Sequence, residues 1–165
     1  PPPASPSVRG LRYDGAEAAS PGPGQGEGML ETVRLLKGGE AGRVRGEFRI
    51  GSNLCGHPGK VHGGVTATAF DTTFGWSCYL TGQETLGEAG GAGRDFPIQF
   101  FTAQLEVSYR TPVPCGETVV FHTRQVKREG RKLWLEGVAT DRAGQVKYAD
   151  ANALFIEVAK ESDSD

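Results

Sequence analysis

The segment HGGVTATAFD, at residues 62–71, decides the fold of this 165-residue chain. Two glycines open the segment, apolar residues continue on nearly every side of a helical projection as far as Leu80, and the carboxylate of Asp71 lies inside this run. A helix that is apolar all round is buried on all sides. The sequence therefore predicts a buried central helix over about residues 63–80, with one acid inside it.

The second half of the chain shows the alternation of apolar and polar residues that is typical of half-buried β-strands. Residues 101–110 alternate with a period of two, and turn sequences separate three later strands. These strands are predicted over residues 117–127, 133–140 and 145–158. Consecutive hairpins beside one buried helix predict an α+β domain in which an antiparallel meander curves around the helix.

The remaining segments complete a single domain over residues 29–159. Met29–Leu36 and Arg43–Ile50 predict two strands, or a short helix and a strand, and Gly51–Val61 predicts a loop. Thr81–Pro97 holds five glycines and is predicted as an exposed loop, long enough to be a lid or a docking surface.

The two ends of the chain differ in composition from this domain. Residues 1–28 contain six prolines, six glycines and three serines, which predicts an arm that is flexible or docked on a partner. Residues 160–165 form a polar tail. The chain opens at Pro1 rather than Met, which agrees either with removal of a leader on import or with numbering that begins after another piece of the protein. A mitochondrial or cytoplasmic location is expected.

Charge and hydropathy argue against two classes of partner. The chain carries 18 basic and 20 acidic residues, a net charge of −2, so no overall positive field attracts nucleic acid. No apolar run reaches the roughly 18 residues needed to span a bilayer, so no transmembrane segment is expected.

The three cysteines, Cys55, Cys78 and Cys115, are odd in number and widely spaced. This spacing matches neither a disulfide framework nor a zinc knuckle, and it predicts a protein of a reducing compartment. Cys55, the two histidines that follow it and Asp71 have no common ligand spacing, so no metal site is expected.

Four short motifs follow one another in the chain: GHPGKVHGG at residues 56–64, TAT at 66–68 followed by Asp71, TA at 102–103, and YRTPVP at 109–114. Their order and spacing, over about Val44–Val158, resemble the hot-dog fold acyl-CoA thioesterases. Within that group they are most similar to the phenylacetic-acid-degradation type and the thioesterase-superfamily-member group. The resemblance implies a curved antiparallel sheet wrapped around one long central helix. It also implies hydrolysis of acyl-CoA thioesters without any cofactor besides the coenzyme A of the substrate.

Thioester hydrolysis needs donors for the oxygen that becomes negative and a carboxylate that activates water or attacks directly. The first turn of a helix offers unpaired N–H groups and the positive end of its dipole, and here Gly63 and Gly64 occupy that turn. The resemblance implies that Gly63 donates to the thioester oxygen, that Asp71 is the base or nucleophile, and that the Thr102 hydroxyl helps to hold the water. It gives His62 a supporting role.

Further residues are candidates for binding the substrate. Many relatives carry Asn or Gln six residues before the histidine as a second contact to the carbonyl, whereas this chain has Gly56. His57 or Asn53 is expected to replace that contact, or the oxygen relies on backbone donors such as Gly64. Three basic residues could meet the phosphates of coenzyme A or form a solvated edge: Arg110, Lys127 and Arg128.

Each assignment also has a plainer alternative. Asp71 could serve only to hold a polar group of the fold, since buried carboxylates need partners. Thr102 could be one more strand residue with high β-propensity, and His62 could only cap the loop before the helix.

The spacing of the helix residues predicts a second subunit. Gly64 and Asp71 are seven residues apart, which places them on one face but about 10 Å apart along the axis. One small carbonyl cannot contact both, whereas an antiparallel helix from another copy could supply the second group. A homodimer or dimer of dimers with composite sites is expected, and the resemblance implies the same. The alternative is a non-catalytic or weakly active accessory subunit of a larger mitochondrial assembly, joined through residues 1–28.

Overall fold

The computed structural model describes residues 30–37, 42–86 and 98–159, with side chains over 42–79 and 99–159. These ranges contain β1 (Leu30–Lys37), β2 (Val44–Ile50), β3 (Cys55–His57), β4 (Lys60–Val61), α1 (Gly63–Leu86), β5 (Ile98–Tyr109), β6 (Thr118–Glu129), β7 (Lys132–Asp141) and β8 (Lys147–Ala159). The first two predicted segments are therefore both strands. The arm over 1–28 and the tail over 160–165 lie outside the described residues.

Six strands form one antiparallel sheet in the order β1-β2-β6-β7-β8-β5. The predicted meander is present in β6, β7 and β8, but the placement of β5 is wrong, because β5 pairs with β8 and not with β6. Helix α1 carries the chain away from β2 before β5 begins, so β5 enters at the far edge and residues 110–117 lead back to β6. Alternation shows which face of a strand is buried, but not which strand lies beside it.

Helix α1 packs against the sheet, which curls around it as predicted. The predicted burial on all sides is wrong, because the face that carries Gly64 and Thr68 is exposed in the single chain. The rings of Phe70 and Phe74 are fully buried, and Phe70 meets Phe121 edge to face with 4.8 Å between ring centroids. Gly137 of β7 allows this approach, because a Cβ there would lie 3.1 Å from the Phe74 ring and 3.2 Å from the Phe70 ring. This aromatic layer fixes the rotation of the helix, and therefore the direction of Asp71, which follows Phe70.

The helix is longer than predicted. It continues to Leu86, so the exposed loop predicted over Thr81–Pro97 is wrong for residues 81–86, and residues 87–97 lie outside the described part of the chain. Gly82 is a weak loop signal, because one glycine costs a helix about 1 kcal/mol while each added residue brings a hydrogen bond. Within the described ranges, no helix is both long and apolar enough to cross a membrane.

A disulfide ties the segment before the helix to the segment after β5. The predicted loop over Gly51–Val61 contains a 3-10 turn and the β3–β4 hairpin, and Cys55 of this hairpin is bonded to Cys115. The prediction, drawn from the cysteine spacing, that the chain contains no disulfide is therefore wrong, and the spacing no longer supports a reducing compartment. The two cysteines are 60 residues apart, and backbone contacts bring them together, such as the bond from the Cys115 N–H to the Gly59 carbonyl at 3.0 Å. Cys78 is unpaired, and burial raises the pKa of its thiol to about 12.

We expect the double variant Cys55→Ser, Cys115→Ser to lose about 4 kcal/mol of unfolding free energy, since the bond closes a 60-residue loop of the unfolded chain. Urea unfolding with and without dithiothreitol measures this loss. The reductant should lower the unfolding free energy of the wild-type protein to that of the variant, and it should leave the unfolding free energy of the variant unchanged. Equal stability of the wild-type protein in both conditions would contradict the cross-link.

Candidate active site

Helix α1 begins at Gly63 with one main-chain donor open. The Nδ1 atom of His62 accepts a hydrogen bond from the Gly64 N–H at 3.0 Å, and the His62 carbonyl accepts one from the Val65 N–H at 2.9 Å. The Gly63 N–H has no acceptor among the residues that the structure describes. It lies at the positive end of the helix dipole, where a negative charge is stabilised. The Gly64 N–H, by contrast, is already engaged.

The loop before the helix packs closely against His62. A Cβ on Gly56 would lie 3.2 Å from the His62 Cα and 3.3 Å from its ring. A larger side chain at position 56 would push His62 away from the helix start, which gives a physical reason for glycine there. Asn53 and His57, the predicted replacements for a second contact, are exposed on the 3-10 turn and on β3.

Tyr109, the last residue of β5, also contacts the helix start. Its hydroxyl donates to the Gly63 carbonyl at 2.6 Å, and its ring lies 3.3 Å from the position that a Cβ on Gly63 would occupy. Partial burial raises the pKa of this hydroxyl, so it keeps its proton at neutral pH. In the sequence Tyr109 stands out only as part of the motif at 109–114, and the alternation of β5 gives no sign of this contact.

Asp71 lies two turns further along α1 and is bound by Thr102 of β5. The Thr102 hydroxyl donates to Asp71 Oδ1 at 2.5 Å. A β-bulge at Ala103 gives Thr102 this direction, because the register shifts between Thr102 and Gln104. Thr102 consequently faces the helix, while Gln104 faces the opposite side of the sheet. Bulges commonly re-aim a side chain in this way.

The chain therefore carries two groups of candidate residues on one helix, each contacted by β5: Gly63 at the helix start, and Asp71 with Thr102. Thr102 precedes Tyr109 along the strand, whereas Gly63 precedes Asp71 along the helix, so the two elements run antiparallel. Asp71 is the eighth residue after Gly63, which gives a rise of about 12 Å along the helix. The open amide and the carboxylate of one subunit are too far apart to contact the same small carbonyl group.

The three predicted phosphate contacts each have a carboxylate partner. These pairs are Arg110 with Asp150 at 2.9 Å, Lys127 with Glu129 at 2.8 Å, and Arg128 with Glu157. A phosphate would have to compete with these carboxylates. Arg110 directly follows Tyr109, the strand residue that contacts the helix start. Lys127 also lies over the ring of Trp134, 5.1 Å from its centroid.

Metal ligands do not gather in the part of the chain that the structure describes. No group of three or more His, Cys, Asp or Glu side chains there could hold a metal ion. Cys55, the cysteine nearest to the helix start in sequence, is bonded to Cys115 and has no free thiolate to offer.

Comparison with known proteins indicates the family of this chain. The family model of the thioesterase superfamily matches residues 58–146, a range that contains Gly63, Asp71 and Thr102. Bovine acyl-coenzyme A thioesterase THEM4 is 32% identical over 130 residues, which cover 79% of this chain and 47% of that protein. The uncharacterized mitochondrial membrane protein FMP10 of Saccharomyces cerevisiae is 27% identical over 110 residues, which cover 67% of this chain and 41% of that protein. The chain thus spans less than half the length of these two relatives.

Solved structures share the fold. Protein RHA08564, a thioesterase superfamily protein, is 28% identical with a TM-score of 0.59, covering 74% of this chain and 52% of that chain. The smu.793 protein from Streptococcus mutans, solved bound to acetyl CoA, is 18% identical with a TM-score of 0.60, covering 81% of this chain and 92% of that chain. At that identity the second match shows the fold alone.

Proposed function

The chain belongs to the thioesterase superfamily, and we propose that it hydrolyses acyl-CoA thioesters to a free acid and coenzyme A. The resemblance noted in the sequence and the hot-dog fold are confirmed. The activity is supported by the bovine relative, which is named an acyl-coenzyme A thioesterase. The Streptococcus mutans structure adds that this fold can hold an acyl-CoA.

One observation carries the proposal: an amide at the start of α1 that has no acceptor among the described residues, and a carboxylate two turns along the helix that is held by a hydroxyl. Asp71 takes a proton from water as the water attacks the carbonyl carbon. Alternatively, Asp71 attacks that carbon itself and forms an acyl anhydride, which water hydrolyses to the free acid after the thiolate has left. The Gly63 N–H donates to the oxygen that becomes negative. The carbon–sulfur bond then breaks, and the coenzyme A thiolate leaves and takes up a proton. His62 supports this site by capping the helix.

We infer that each complete site needs two subunits. Among the described strands, β5 lies at the edge of the sheet, and an edge strand offers unpaired main-chain groups to a second chain. Antiparallel pairing of two β5 strands, centred between Thr102 and Tyr109, would bring Asp71 of one subunit towards the partner's Gly63. Phe101 and Tyr109, which are 55% and 53% exposed, supply apolar surface at this edge.

Release of free thiol from acetyl-, hexanoyl- and palmitoyl-CoA tests the activity. We expect turnover above the uncatalysed rate with at least one chain length, and a specific activity that falls as the dimer dissociates on dilution. Sedimentation over the same concentration range gives the fraction of dimer. A folded protein without turnover on any of these thioesters would favour the accessory subunit of a larger assembly.

Thr102→Val should lower kcat about tenfold or more, because a hydrogen bond to a charged carboxylate is worth about 1.5–3 kcal/mol. Valine has nearly the same shape and suits a strand, so the fold should persist. Thr102→Ser keeps the hydroxyl and should keep most of the activity. Thiol release measures both variants, and a wild-type kcat in Thr102→Val would refute a role for this hydroxyl.

We also propose a mitochondrial location, on the basis of the yeast relative, whose name describes a mitochondrial membrane protein. Fractionation of cells that express the full-length protein tests it. The protein should sediment with a mitochondrial matrix or inner-membrane marker, and recovery with cytosolic markers would reject the proposal.

A further inference from the structure

The peptide between Gly63 and Gly64 is held at both of its polar ends. Its carbonyl accepts a hydrogen bond from the Tyr109 hydroxyl at 2.6 Å, and its N–H donates to His62 Nδ1 at 3.0 Å. Two successive glycines have no Cβ to restrict their dihedral angles. The N–H groups in the first turn of a helix also have no acceptor within the helix. These two contacts therefore replace the restraints that the local sequence does not provide.

The two hydrogen bonds to the Gly63–Gly64 peptide together act as a clamp, and the direction of the Gly63 N–H depends on this clamp. That N–H belongs to the preceding peptide, and only the two soft dihedral angles of Gly63 separate it from the clamped peptide. When the Gly63 carbonyl is held by Tyr109, rotation about these angles is restricted. A donor stabilises a developing negative charge most when it is already aimed at that charge.

We propose that Tyr109 is a positioning residue that aims the Gly63 N–H at the thioester oxygen, an inference that rests on the proposed thioesterase function. The Tyr109 hydroxyl does not act on the substrate itself, because its single proton is used on the Gly63 carbonyl. Tyr109 as a whole residue is 53% exposed and lies outside the buried core, so removal of its hydroxyl should change the core little. Its effect should consequently appear in catalysis rather than in stability.

Tyr109→Phe keeps the ring over Gly63 and removes only the hydroxyl. We expect kcat to fall about three- to tenfold, the range for one neutral hydrogen bond, with little change in KM or Tm. Tyr148→Phe is the matched control, because that buried tyrosine lies in β8 and its hydroxyl is near the charges of Glu117 and Asp141. Its kcat should equal that of the wild-type protein. A fall in Tm or a rise in KM without a loss of kcat in Tyr109→Phe would overturn the proposal.

Combining Tyr109→Phe with Gly63→Pro tests whether the loss of kcat acts through the Gly63 N–H or through a general disturbance of the structure. In Gly63→Pro the N–H is absent, so Tyr109→Phe should cause no further loss of kcat there. A loss of equal size in both backgrounds would overturn the proposal, because the hydroxyl would then act independently of that donor.

Amide NMR provides a readout that does not require turnover. The Gly63 and Gly64 resonances should shift in Tyr109→Phe, and the Gly64 amide should exchange faster than in the wild-type protein. If the wild-type protein cleaves no thioester, the proposed function fails, yet this comparison still tests the clamp. Unchanged resonances and exchange would overturn the positioning role by themselves.

Discussion

Asp71→Asn should lower kcat for acyl-CoA hydrolysis by about 1000-fold while leaving the stability of the protein nearly unchanged. Asparagine has the same size, and its Oδ1 can still accept the hydrogen bond from Thr102. Its amide cannot take a proton from water or attack a carbonyl carbon, so the chemical step loses its base or nucleophile. Thiol release under saturating substrate gives kcat, and thermal unfolding gives the stability of the same samples.

Glu136→Gln makes the same change of charge away from the site and is the control for Asp71→Asn. Glu136 lies on the face of the sheet opposite the helix, where it pairs with Arg124. Because exposed ion pairs contribute little to stability, this variant should behave like the wild-type protein. If Asp71→Asn kept more than a tenth of the wild-type kcat, Asp71 would be a structural residue of a polar pocket.

The local parts of the fold and of the site can be predicted from the sequence. An apolar run opened by two glycines defines the start of α1, and the lone acid inside that run marks Asp71. The alternation over residues 101–110 predicts β5, although the bulge at Ala103 interrupts it and turns Thr102 towards the helix. These features follow from neighbouring residues, so a pattern along the chain is enough to find them.

The parts that depend on distant contacts are not visible in the same pattern. The pairing of β5 with β8, the bond between Cys55 and Cys115, and the hydrogen bond from Tyr109 to Gly63 each join residues far apart in sequence. None of them changes the local periodicity. The end of the helix at Leu86 shows a related limit, because polar residues in its last turns look like a loop when only composition is considered.

Gly63→Pro should lower kcat by about 100- to 1000-fold, the range for one lost oxyanion donor, whereas Gly63→Ala should keep most of the activity. Proline suits the first position of a helix and has no N–H, and Gly63 is not among the glycines with a positive φ. Both substitutions add a Cβ about 3.3 Å from the Tyr109 ring, so the difference between them isolates the N–H. Equal losses of kcat in both variants would assign the effect to contact with Tyr109.

Mixing the two inactive variants tests whether the site is shared between subunits. In a heterodimer of Asp71→Asn and Gly63→Pro, a shared arrangement gives one site with both defects and one site with neither. Random pairing after joint refolding makes half of the dimers mixed, so activity should return to roughly a quarter of the wild-type value. If Asp71 and Gly63 of one subunit acted on the same thioester, every site would keep one defect and no activity would return. Because each variant alone is the control for the mixture, this outcome does not depend on the absolute loss caused by either substitution.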